Sequence, residues 1–125
     1  MEQRKQRWRT GLPHIVCHYS AGQEMPPVRT ILKELHRIAA STGVVRAEDL
    51  KSRAQAFSDY LIAGEERSFF HVSLYLLAGR SGPQKERLSV ELRAGLVALL
   101  PGTHSISVDI RDMDPDAYKK RLLPT

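Results

Sequence analysis

The sequence is poor in cysteine, with Cys17 alone among 125 residues, and this excludes an internal disulfide framework. A lone thiol is typical of proteins kept in a reducing compartment, so we expect a cytoplasmic protein. Long hydrophobic runs are also missing, because the longest, residues 69–78, contains His71 and Ser73. That run is shorter than the roughly 20 apolar residues that a membrane-spanning helix requires. We therefore expect no association with a membrane.

Acidic residues are fewer than basic ones, but the basic surplus is unevenly distributed. The formal net charge is +5, and residues 1–11 contribute +3 of it. The rest of the chain carries only +2, which is too small a surplus to indicate a nucleic-acid-binding face. Residues 1–11 also lack the apolar core of a signal peptide. We therefore expect no nucleic-acid partner.

The full sequence is 42% hydrophobic, and residues 1–12 differ in character from the rest of it. The stretch before Leu12 is polar and basic and has no hydrophobic periodicity. We interpret residues 1–12 as an extension upstream of the true start and residues 13–125 as a single domain. Translation from a non-AUG codon at Leu12 would put methionine before Pro13, and methionine is removed before small residues. The nitrogen of Pro13 would then be a basic secondary amine rather than a peptide amide.

Hydrophobic periodicity beyond the extension predicts four strands and two helices. The strands are expected at residues 14–19, 51–57, 69–78 and 105–112. The first helix follows Pro26 and Pro27, which suit a first helical turn, and it ends near Gly43. The second helix follows Ser81, which is expected to form a capping box with Gln84, and it ends at residues 101–102.

Two successive strand–helix–strand units predict an α+β fold. It would be a two-layer α/β sandwich, in which a four-stranded mixed sheet carries both helices on one face. The third predicted strand has largely apolar side chains on both of its faces, which is typical of a strand covered on both sides. Because no further element of the chain is left to cover the second face of the sheet, we expect other subunits to cover it.

Four stretches of the sequence together resemble the tautomerase superfamily and, within it, the 5-carboxymethyl-2-hydroxymuconate Δ-isomerase family. They are Pro-His-Ile-Val at 13–16 with Tyr-Ser at 19–20, Lys-Ser-Arg at 51–53, Phe-His-Val at 70–72 continuing to Ala-Gly-Arg-Ser at 78–81, and residues 106–114. Each motif is short, and their order and spacing carry the resemblance, which extends over residues 12–122.

The resemblance implies a homotrimer with active sites at or near subunit interfaces and with no cofactor. It also implies that Pro13 is the catalytic base and that Arg80, Arg53 and Lys51 bind the carboxylates of a small-molecule substrate. The family usually has arginine where Lys51 stands. Lysine keeps the positive charge but lacks the planar fork that holds a carboxylate at two points.

The residue types suit this chemistry by themselves. Moving a double bond in an enol acid requires a proton to leave one atom and return at another, and a single base can perform both transfers. A free α-amine does so readily because it titrates near neutrality, at about 7.7–8.0 when unperturbed. Arg80 stands between a predicted strand and a predicted helix, where its guanidinium and the helix N–H groups could hold an anion together.

Other interpretations of the same residues remain open. Residues 1–12 could be retained, which would leave Pro13 an amide and the protein a catalytically silent trimer. The substrate could instead be another small enol acid. The histidines show no metal-ligand spacing, so we expect no metal site. Cys17 lies within a predicted strand and is interpreted as a small buried hydrophobe.

Overall fold

In a computed structural model of the protein, residues 13–124 are described. The strands are β1 (His14–Ser20), β2 (Lys51–Phe57), β3 (Phe69–Leu77) and β4 (Ser105–Met113). The helices are α1 (Val28–Ser41) and α2 (Gly82–Leu99), with a short 3₁₀ helix at Ala47–Asp49. All four strands and both helices therefore lie where the sequence predicts them, with ends that differ by one or two residues. The extension expected at residues 1–12 lies outside the described residues.

The four strands form one mixed sheet in the order β2-β1-β3-β4. β1 runs parallel to β2 and antiparallel to β3, and β3 runs parallel to β4. Each parallel pair is joined by one helix, which gives the two predicted β-α-β units. The start of β1 therefore lies at the same end of the sheet as the start of β2 and the ends of β3 and β4.

The hydrophobic core lies between the sheet and the two helices. Its sheet side consists of alternate residues, such as Ile15 and Cys17 from β1 and Val72 and Leu74 from β3, all fully buried. The helices add Ile31, Leu35 and Ile38 from α1 and Leu88, Leu92 and Leu96 from α2. One apolar stripe from each helix thus covers one face of the sheet.

Local capping fixes the start of α2 as the sequence predicts. The backbone N–H of Gln84 donates to Ser81 Oγ at 3.3 Å, and the N–H of Ser81 donates to Gln84 Oε1 at 2.9 Å. These reciprocal bonds satisfy two amides that a helix otherwise leaves without partners. The capping box therefore fixes the start of α2 directly after Arg80.

The face of the sheet opposite the helices, here called the open face, is more polar than β3 alone suggested. His71, Ser73 and Tyr75 of β3 lie on it, all partly exposed in the single chain. His71 pairs through its ring nitrogens with Ser107 Oγ at 2.6 Å and Ser73 Oγ at 3.1 Å. Across residues 13–124, no helix is both long enough and apolar enough to cross a membrane.

Candidate active site

The start of β1 brings Pro13 beside the start of β2. Pro13 is buried, and its carbonyl oxygen accepts the backbone N–H of Lys51 at 3.0 Å. The register continues with His14 opposite both Lys51 on β2 and Tyr75 on β3. Pro13 therefore lies next to the last residues of β3, at the sheet end from which the loop to Arg80 departs.

Arg80 lies at this same end of the sheet, between β3 and α2. Its guanidinium donates to the carbonyl oxygens of Leu77 and Val44, both at 3.4 Å. Val44 follows α1, so this contact ties the loop after the first helix to the loop before the second. Contact of Arg80 with a substrate anion stays a prediction, while the structure shows its guanidinium against these two backbone carbonyls.

Lys51 and Arg53 both point from β2 toward the open face. The register places Lys51 beside His14, and the same cross-strand line continues to Tyr75 and Arg111. Arg53 lies two residues further along β2, beside Val16. Their positive charges reach His14, whose pKa is lowered first by burial and then by Lys51 and Arg53. The two predicted carboxylate binders therefore act electrostatically on the residue that follows Pro13.

A pair that the sequence did not reveal, His14 and Tyr118, completes this end of the sheet. Nε2 of His14 lies 2.9 Å from the phenolic oxygen of Tyr118, and the two rings meet edge to face with centroids 5.8 Å apart. Tyr118 comes from the segment after β4, where its N–H donates to the carbonyl of Asp114 at 2.9 Å. No spacing rule connects two residues that are 104 positions apart.

The arrangement offers two kinds of chemistry. A neutral imidazole that is hydrogen-bonded to a phenol can pass on a proton. It can also donate a hydrogen bond to an oxygen that gains negative charge. Lys51 and Arg53, whose charges reach His14, can hold carboxylates. Burial raises the pKa of Cys17 to about 12, so its thiol stays protonated and is no nucleophile. Among residues 13–124, no three His, Cys, Asp or Glu side chains group as metal ligands.

Comparison with protein families gives a match over nearly the whole described chain. The family model described as 5-carboxymethyl-2-hydroxymuconate isomerase matches residues 13–121. The chain belongs to this isomerase family. This supports an isomerase or tautomerase as its general class. The match begins at Pro13, the residue that heads the site just described. A comparison with curated protein sequences found no match.

Solved structures confirm the fold of this family member. A 5-carboxymethyl-2-hydroxymuconate isomerase from Deinococcus radiodurans R1 superposes with a TM-score of 0.80 at 20% identity, over 92% of each chain. A 5-carboxymethyl-2-hydroxymuconate delta-isomerase gives 0.74 at 17% identity, over 92% of this chain and 91% of that one. A fused 4-OT wild-type symmetric trimer gives 0.70 at 24% identity, over 81% and 85%. The family member therefore has the tautomerase fold.

Proposed function

We propose that this protein is an isomerase that moves a double bond in an unsaturated 2-hydroxy or 2-oxo di- or tricarboxylic acid. The substrate class includes 5-carboxymethyl-2-hydroxymuconate, and its place is in the catabolism of aromatic acids. The family match that begins at Pro13 is the observation that carries the proposal. In the active form Pro13 is the first residue, and its secondary amine is the general base.

The proposed reaction is a proton transfer at both ends of an enol system. The neutral amine of Pro13 removes the proton from the 2-hydroxyl group, and the electrons shift along the conjugated chain. The resulting ammonium then returns a proton to the far carbon, so that the amine is neutral again and the product is a 2-oxo acid. Pro13 is buried in the full chain, and an amine that kept such low-polarity surroundings would favour its neutral form.

The cations hold the substrate and stabilise its negative charge. Arg80, Arg53 and Lys51 are the proposed carboxylate ligands, and no cofactor takes part. Arg80 supplies a planar fork and Lys51 a compact charge, so the arginine is the stronger anchor for a two-point contact. The lowered pKa of His14 keeps its imidazole neutral at pH 7, where it can donate to the enolate oxygen while Tyr118 fixes its ring.

The proposed assembly is a homotrimer in which the open faces of the sheets are covered by neighbouring subunits. Two observations support it. The structural relatives include symmetric and asymmetric trimers of the same fold. The open face also carries Val16 of β1 and Tyr75 of β3, which the single chain buries only in part.

One comparison of three forms of the chain tests the base. The forms begin at Pro13, at Leu12 and at Met1, and isomerisation of 5-carboxymethyl-2-hydroxymuconate is followed by ultraviolet absorbance. Only the form that begins at Pro13 should be active, because a single added residue turns the amine into an amide. Equal activity in the Leu12 form would refute Pro13 as the base.

Intact mass of the untagged native protein tests whether that form exists in the cell. A mass that corresponds to a chain beginning at Pro13 is expected. Recovery of Met1 as the natural terminus, together with an inactive full-length chain, would instead support the catalytically silent trimer. Activity of the Pro13 form on another enol acid but not on the muconate would move the proposal to a different substrate within the same reaction type.

A further inference from the structure

A cleft between α1 and the edge strand β2 lies on the helix side of the sheet, away from the side chains assigned to the proposed reaction. Its volume is about 290 Å³, and it is lined by Arg29, Leu32, Lys33, His36 and Ser52. The side chain of Ser52 lies on the opposite face of β2 from its neighbours Lys51 and Arg53, because successive strand residues alternate. We call this feature the α1–β2 cleft.

The lining of the α1–β2 cleft is positively charged without compensation. Arg29 and Lys33 are four positions apart on α1, where like charges lie side by side and repel. No carboxylate lines the cleft. The ion pairs found among residues 13–124 include neither cation, and the one acid within α1, Glu34, pairs with Arg37. A bound anion would relieve the repulsion between Arg29 and Lys33.

The inner wall of the cleft leaves one hydrogen-bond donor for a ligand. Nε2 of His36 lies 2.8 Å from Ser52 Oγ. The neutral pair has two polar hydrogens, one on the imidazole and one on the hydroxyl, and their mutual bond uses one of them. In one tautomer the free donor is the Nδ1–H of His36, and in the other it is the O–H of Ser52. Burial lowers the pKa of His36, which favours this neutral state.

Leu32 lies between the two cations in sequence and adds an apolar surface to the same cleft. A ligand that fits all of these features has a flat or compact apolar body and one carboxylate. Inorganic anions would use the charges but not the leucine, and neutral apolar molecules would use the leucine but not the charges.

We propose that the α1–β2 cleft is a binding site for a small apolar carboxylate, held by Arg29, Lys33 and the free donor of the His36–Ser52 pair. This site is separate from the one at Pro13 and does not depend on the proposed isomerase activity. The carboxylate lies between the two cations, and the apolar body packs on Leu32.

Benzoate is the probe, and the ring signals of His36 in nuclear magnetic resonance spectra report on the cleft. Titration of the full chain should shift these signals in a saturable way. Benzyl alcohol, which lacks the charge, and inorganic phosphate, which lacks the apolar body, should bind at least about tenfold more weakly. Equal binding of either one would overturn the proposal, as would a benzoate response confined to His14.

Matched variants test the assigned residues. The double variant Arg29→Ala/Lys33→Ala should raise the Kd of benzoate at least about tenfold, the size of one charge-assisted contact. Ser52→Ala should weaken binding less. Arg37→Ala is the control, since it removes an exposed cation of the same helix that does not line the cleft, and it should leave the Kd unchanged. An unchanged Kd in the double variant, with an unchanged melting curve, would contradict the assignment.

Discussion

Arg80 is the predicted anchor for a substrate carboxylate, and the structure adds contacts that the sequence did not predict. Its position after β3 predicts contact with a substrate carboxylate, while the structure shows the guanidinium on the carbonyls of Leu77 and Val44. Both distances are 3.4 Å, so these bonds are long and weak. They orient the guanidinium between the end of β3 and the loop that follows α1.

Arg80→Ala, in a chain that begins at Pro13, should lower kcat/KM by about 10–150-fold. The basis is the loss of one charge-assisted hydrogen bond, about 1.5–3 kcal/mol. Arg80→Lys should restore only part of the activity because the two-point geometry is lost. Arg87→Ala, an exposed arginine on α2, is the control and should keep full activity. Full activity in Arg80→Ala and a large loss in Arg53→Ala would place the carboxylate anchor on β2 instead.

The lowered pKa values of three histidines predict that the stability of the protein depends on pH. The pKa values of His14, His36 and His71 are all lowered, mainly because burial disfavours the charged imidazolium. Lys51 and Arg53 add to this effect at His14, whereas Asp109 opposes it at His71. The unfolded chain therefore binds more protons than the folded one at pH values just below the ordinary histidine pKa of about 6.5.

The free energy of unfolding should be fully retained above about pH 6.5 and should fall as the pH is lowered through the folded-state pKa values. Urea denaturation at a series of pH values checks this. His36→Gln, which keeps a hydrogen-bonding group near Ser52 but cannot gain the same proton, should reduce the slope. A protein that becomes more stable on acidification over this range would show that the sign is wrong.

At the scale of elements, the two helices approach closely at Gly95 of α2. A Cβ atom built at Gly95 would overlap Cδ1 of Ile38 on α1, while Cγ1 of Ile38 would lie at an acceptable 3.5 Å. A glycine within a helix costs about 0.5–1 kcal/mol relative to alanine. Here that cost is offset because the absent side chain leaves room for Ile38 to pack.

Gly95→Ala should change the stability of the protein by no more than about 1 kcal/mol, because the better helix propensity of alanine opposes the cost of moving the terminal Cδ1 of Ile38. Ile38→Val removes the Cδ1 atom and should by itself cost about 0.5–1.5 kcal/mol. The double variant should lose less stability than the sum of the losses in the two single variants, because valine at position 38 no longer overlaps the new Cβ atom. Thermal or urea unfolding of all four proteins gives the coupling energy, and strict additivity would contradict this contact.

At the scale of the whole molecule, the helices cover one face of the sheet, and no described element covers all of the other face. The helices bury the core face, while the open face presents a mixture of partly buried apolar, aromatic and charged side chains. A sheet face that no element of the same chain covers is available for contact with another subunit. The proposed trimer would bury it.

Sedimentation equilibrium should give about three times the 14.1 kDa mass of the chain. Val16→Asp places a carboxylate at the centre of the open face and should dissociate the trimer while leaving the helical signal in circular dichroism intact. Val90→Asp makes the same change on the outer face of α2, where Val90 is 45% exposed, and should leave the assembly unchanged. A wild-type monomer at micromolar concentration would rule out the trimer.

The amino-acid sequence by itself determined the local structure of this protein. The alternation along β3, the bounds of β2 and the Ser81–Gln84 capping box could all be predicted, because strand pleating and helix capping depend on residues a few positions apart. The motifs around Pro13 and Arg80 also identified the family, since their order along the chain is a property of the sequence.

Only the tertiary structure decided which distant residues meet. Three hydrogen bonds join segments from different elements. They link His14 to Tyr118, Arg80 to Val44, and His36 to Ser52. No local propensity encodes such contacts, because they depend on the strand order and on how each helix lies across the sheet. The sequence thus predicted the fold and proposed the site residues, while the path of the chain in space added the histidine–tyrosine pair and the α1–β2 cleft.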